Sequence, residues 1–154
     1  MNVPLRSIHY ADPTRDPLTQ VTSCSRLPFE ETLARLKEAI QAEDLWLIHE
    51  IDPQMLLKRG GFAISATRQL LFFHPRYMAT LLENDPSALV EAPLKLVIME
   101  MPDNSVVLRH SEVASVFARY AGLETLGVEF SGIYQRILAT VNETCNKSNP
   151  PQRH

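Results

Sequence analysis

The stretch DPQMLLKRGGFAISATRQLLFFHPRYMATLLENDPSALVEAPLK, residues 52–95, decides the fold. Asp52-Pro53 is a helix start, because an aspartate side chain accepts a free N–H at the cap and a proline fits the first helical position. Gly60-Gly61 stops that helix. Ser65 to Phe73 reads as a strand. His74-Pro75 closes the strand and opens a helix carrying Met78, Leu81 and Leu82. Asp85-Pro86 repeats the start signal, and Pro93-Leu94-Lys95 leads into the next strand. Short helices alternating with apolar strands over so few residues point to an α+β domain.

Working outward, Leu45 to Ile51 is a strand, apolar on both parities. Before it, Pro28 opens a helix to about Ala42, with Glu30 and Glu31 at its positive end. Phe29, Leu33, Leu36 and Ile40 recur at helical spacing and mark its buried face. Residues 18–24 read as a first strand, and residues 1–16 as an irregular arm. Downstream, Leu94 to Met101 and Ser105 to Arg109 form a hairpin through Pro102-Asp103-Asn104. Ser111 is expected to cap a helix ending at Gly122, followed by a long amphipathic helix from Leu126 to Val141. Residues 146–154 read as a disordered tail, which leaves one α+β domain over residues 17–145 with a mainly antiparallel sheet.

Composition narrows the function classes. The chain has 154 residues and a net charge of −3, so no basic field exists to attract nucleic acid. No apolar run reaches the roughly 18 residues of a membrane span. With no signal-peptide pattern in residues 1–16, the cytoplasm is the expected location. That location predicts that Cys24 and Cys145 are not joined by a disulfide.

Several segments together resemble a known family. Phe29-Glu30-Glu31-Thr32 with Arg35-Leu36, then Glu50-Ile51-Asp52, resemble its first two signatures. Arg68 with Leu71-Phe72 and Pro75 resembles the third; Asp85-Pro86, Pro93-Leu94-Lys95 and Glu100 resemble the fourth. The family is domain of unknown function 302, and the resemblance spans about residues 20–121. It implies a TATA-binding-protein-like arrangement of strand, helix, four strands and helix, and homodimers or higher oligomers, but no agreed activity. The chain departs from the family pattern in having His74 where an asparagine is usual, and Pro53 where a histidine often follows the Glu-Ile-Asp triplet.

Arg68, Leu70, Phe72 and His74 alternate along one strand and so share a face. An arginine in apolar surroundings requires an anion or a carboxylate partner, with Glu50, Asp52 and Glu100 as candidates. His74 is either a helix cap or a ligand; with Met78 four residues on, it is the candidate for haem or a metal ion. Lys95 is a candidate ligand contact or a surface ion-pair member. His49 and His110 end other strands. Neither a nucleophile elbow nor a phosphate loop is present, which disfavours an enzyme reading without excluding it.

The expected function is therefore a homodimeric binding or accessory protein that holds a small molecule or a protein partner against its sheet. Arg68, His74, Glu50 and Lys95 are its candidate ligand contacts. The alternative is a haem- or metal-binding protein using His74.

Overall fold

The computed structural model of the chain describes residues 3–11 and 19–145. The expected tail, 146–154, and part of the expected N-terminal arm lie outside the described residues. Within the arm, Arg6–Ser7 forms a short strand, β1, rather than an irregular segment.

The first long element is strand β2, Gln20–Ser25, followed by helix α1, Phe29–Ala42. Phe29, Leu33, Leu36 and Ile40 are all buried, as their spacing requires. Strand β3, Trp46–Ile51, then runs into helix α2, Pro53–Arg59. Asp52 caps α2 by accepting the Met55 N–H at 3.0 Å. The helix ends at Gly60, and Gly61 at φ 92° turns the chain into β4, Phe62–Ala63, a conformation that suits only glycine without strain. β4 pairs in parallel with β1 as a separate two-stranded sheet.

Strand β5, Thr67–Phe73, leads to helix α3, Pro75–Asn84, whose cap is His74. A 3₁₀ segment, Pro86–Glu91, follows, capped by the Asp85 side chain. Strands β6, Leu94–Glu100, and β7, Val106–Ser111, form the expected hairpin. Asn104 takes a left-handed conformation in its turn, φ 67°, which asparagine tolerates better than most residues. Helix α4, Val113–Phe117, is capped by Glu112 and not by Ser111, which is still the last residue of β7. Helix α5, Glu124–Ala139, is the long amphipathic element, and its chain then reverses into strand β8, Asn142–Glu143.

The main sheet has the order β3-β5-β6-β7-β2-β8, and every neighbouring pair is antiparallel. Leu70 and Phe72 of β5, Leu94, Leu96 and Ile98 of β6, and Val106 and Leu108 of β7 turn to one face and are buried. Phe130, Ile133, Tyr134 and Ile137 of α5 join them in the same core as Leu36 and Ile40 of α1. The fold is thus a mainly antiparallel sheet with helices packed against one face, an α+β architecture.

The two cysteines are not free thiols. Cys24 and Cys145 are disulfide-bonded, with Cα atoms 5.0 Å apart. The expectation of unpaired cysteines rested on an assumed reducing compartment. It took no account of β8, which pairs Glu143 with Cys24 and returns the chain end to the first long strand. Among the described residues no helix is long and apolar enough to cross a membrane.

Candidate site on the uncovered sheet face

Alternation along β6 divides its side chains between two environments. Leu94, Leu96 and Ile98 point into the core, so Lys95, Val97 and Met99 point to the opposite face. The strand pairing extends that face sideways. Lys95 is registered with Leu71, Val97 with Gln69 and with Arg109, and Arg109 with Thr22. Lys95 and Thr22 are exposed, whereas Gln69, Leu71, Val97 and Arg109 are half-buried. This face carries the mixture of apolar surface and isolated polar groups that small-molecule sites use.

Two recesses open on it. A smaller one of about 180 Å³ is lined by Gln20, Lys95, Val97, Arg109, His110 and Ser111. A broader cleft of about 1010 Å³ runs from the β6–β7 turn to the Cys24–Cys145 disulfide. Arg109 belongs to both. Its guanidinium donates to the Thr22 hydroxyl at 3.2 Å.

The smaller recess has a rigid floor. The Tyr134 hydroxyl accepts the Lys95 backbone N–H at 3.1 Å and donates to the Lys95 carbonyl at 2.8 Å. Burial pushes that phenol well above its ordinary pKa, so it stays protonated as a donor. The His110 ring stacks flat on Tyr134, with centroids 3.8 Å apart and planes within 3°. His110 Nδ1 lies 2.7 Å from the Ser111 carbonyl, which places the ring proton on that nitrogen. Desolvation pushes this imidazole below its usual value, against smaller upward contributions from the Ser111 carbonyl and Glu112.

The candidate residues read from the sequence do not form one cluster. Arg68 pairs with Asp52 at 2.9 Å, donates to the Thr67 carbonyl at 2.8 Å, and lies 6.0 Å from the Phe29 ring. Glu50 is held by Lys37, 3.1 Å from Oε2. His74 sits six residues along β5 from Arg68, about 20 Å at the rise of an extended strand. Its Nδ1 accepts the Arg76 N–H at 3.1 Å, and its ring meets Trp46 edge-on with centroids 5.2 Å apart. Met78 is exposed on α3. Lys95 alone of the set points to the uncovered face. Among the described residues no three His, Cys, Asp or Glu side chains gather as metal ligands.

Arg109 and Tyr134 are the site residues that sequence reasoning did not single out; from the sequence His110 is only a strand-end histidine. The alternation of β7, with Val106, Leu108 and His110 inward and Arg109 outward, held the signal. It becomes readable only once the hairpin register is fixed.

The family model for domain of unknown function DUF302 matches residues 20–143. The crystal structure of an uncharacterized conserved protein DUF302 from Bacillus stearothermophilus superposes with a TM-score of 0.73 at 16% identity. The alignment covers 80% of this chain and 98% of that one. At this identity the likeness shows a shared fold. No curated protein matches the chain.

Proposed function

This chain belongs to the DUF302 family, whose description assigns no activity, and we propose from the site that it is a small binding protein. It holds a small molecule against the uncovered face of its sheet, and it works as a homodimer. The observation that carries the reading is the asymmetry of β6. One side of the strand is sealed in the core, while Lys95 and the half-buried Val97 face outward beside Leu71 and Arg109. Arg68, Glu50 and His74 act as supports, since each is engaged within the chain by Asp52, Lys37 or the α3 backbone.

The reading takes the free edge of β3 as the contact between two copies. Among the described residues β3 is the terminal strand of the sheet, and Trp46, Leu47 and Ile48 are 56, 41 and 52% exposed on it. Three consecutive large apolar residues beside unpaired backbone groups favour strand pairing with a second chain.

Two measurements test the proposal. Native mass spectrometry of gently purified protein is expected to show an adduct lost on denaturation. Light scattering at micromolar concentration is expected to give twice the mass of the chain, falling to a monomer in Ile48→Lys. A monomeric wild type whose Lys95, Val97 and Arg109 amides respond to no small molecule overturns the reading.

A further inference from the structure

Among the described residues, the smaller recess brings together two cations that meet no carboxylate. Lys37, Arg68, Arg76 and Arg136 each meet a carboxylate, from Glu50, Asp52, Asp44 and Glu43 respectively. Among the described residues, Lys95 and Arg109 meet none, as is also true of exposed cations such as Lys58 and Arg59, but these two share one recess. The register makes them diagonal neighbours on one face, Val97 standing beside Lys95 on β6 and opposite Arg109. Side chains so placed lie about 7–8 Å apart at their bases, close enough for both to reach one group. Two unopposed cations on one sheet face repel each other unless an anion lies between them.

The surroundings sharpen the charge. Among the described residues, none that lines the smaller recess is acidic, whereas the broader cleft beside it includes Glu100, Asp103 and Glu143. In a chain of net charge −3, a recess whose described lining holds two cations and no acid is a local inversion of sign. Gln20 and Ser111 add neutral hydrogen-bonding groups, and Leu71 and Val97 add half-buried apolar surface alongside. At about 180 Å³ the recess accommodates a headgroup rather than a whole drug-sized ligand.

We infer that Lys95 and Arg109 bind the oxyanion headgroup of an amphiphilic ligand, a carboxylate or a phosphate, with its apolar part against Leu71 and Val97. The Arg109 guanidinium supplies a planar donor fork and Lys95 a mobile point charge. Tyr134 fixes the backbone at Lys95 from beneath and so sets the spacing of the two cations. This inference rests on the sheet-face reading above and names the ligand class for that face.

The test is a titration followed by backbone amide chemical shifts in the full chain, with octanoate, octyl phosphate and 1-octanol as probes. Octanoate or octyl phosphate is expected to shift the amides of Lys95, Val97, Arg109 and Ser111, more weakly at high salt. Lys95→Gln/Arg109→Gln is expected to weaken binding by about tenfold or more while keeping a dispersed spectrum. Lys58→Gln/Arg59→Gln, which removes two exposed cations from α2, is expected to leave it unchanged. Whichever of the two anions binds more tightly identifies the headgroup. If 1-octanol binds the same residues as tightly as the anions, the oxyanion site is overturned and the sheet-face reading stands. If none of the three shifts these amides, the oxyanion site is overturned, and the sheet-face reading is left to its own adduct and mass measurements. Equal weakening in the α2 double variant also overturns the site, because it reports only overall charge.

Discussion

Asp52 Oδ1 accepts the Met55 N–H at 3.0 Å and lies 2.9 Å from Arg68 Nη1, so one oxygen caps α2 and neutralises β5. The two functions separate by substitution. Asp52→Asn keeps an acceptor for the cap and loses the charge, whereas Asp52→Ala loses both. Both partners are mostly shielded, with side chains 20 and 30% exposed for Arg68 and Asp52. Asp52→Ala is expected to destabilise by about 2–4 kcal/mol and Asp52→Asn by roughly half as much. Urea unfolding of the two variants, with Arg68→Met closing a double-mutant cycle, measures the split. Equal losses in Asn and Ala variants would leave the cap without a measurable role.

Gly127 brings α5 against α4. A methyl group there would lie 2.9 Å from Phe117 Cβ, 3.1 Å from the Val113 carbonyl oxygen and 3.3 Å from Ala114 Cα. Backbone and a buried ring cannot yield cheaply, so Gly127→Ala is expected to destabilise by about 1–3 kcal/mol. Gly132, on the same helix, offers a control: its nearest neighbour is the end of the Arg136 side chain at 3.3 Å. Gly132→Ala is expected to be neutral or stabilising by up to about 1 kcal/mol through helix propensity. Thermal melts that rank the two variants the other way would contradict the packing described.

How much of this could be read in the sequence depended on distance along the chain. Asp52, His74 and Asp85 each act through an N–H two or three residues away, and their caps are legible from Asp-Pro and His-Pro alone. The spacing of Phe29, Leu33, Leu36 and Ile40 is equally local. Glu112 took the cap expected of Ser111 because β7 runs two pairings beyond Arg109, with Ser111 still opposite Gln20. The Arg68–Asp52 pair could be named as a possibility, but choosing Asp52 over Glu50 or Glu100 required the β3–β5 register. Arg109 and the disulfide were hidden for the same reason. Both depend on which strands become neighbours, a quantity that no local pattern carries.

His110 predicts an acid-side loss of stability. Burial holds the folded-state pKa below the ordinary value, so the unfolded chain binds this proton more readily. The native state is then favoured at neutral pH, and that advantage is lost as pH falls below about 6.5 toward the depressed folded value. His110→Phe keeps a ring to stack on Tyr134 and removes the titration. Chemical denaturation between about pH 7 and pH 5 is expected to show a shallower slope in the variant. An identical slope would assign the acid sensitivity to other groups.

The disulfide is expected to be a main determinant of stability. It joins residues 121 apart in sequence, so in the unfolded chain it closes a very long loop. The chain-entropy treatment gives about 4–5 kcal/mol for a loop of that order. Cys145→Ser, or reduction with a dithiol, is expected to lower the melting temperature by roughly 8–20 °C. β8 has only two residues and should fray once its covalent anchor is gone, with loss of exchange protection at Cys24 and at Arg26, whose N–H donates to the Val141 carbonyl. Unchanged melting after verified reduction would show that pairing with β2 suffices by itself.

The same bond changes what a broken backbone means for this molecule. Cys24 and Cys145 bracket nearly all of the matched region, residues 20–143, including the Gly60-Gly61 bend and the Pro102–Asn104 turn. A single protease cut at either bend yields two pieces that remain one covalent species. Such a clipped molecule keeps its full mass under non-reducing denaturation and divides only when the disulfide is reduced. Integrity judged without reductant therefore overstates continuity of the chain, and the bends can serve as sites for opening new termini without losing either half.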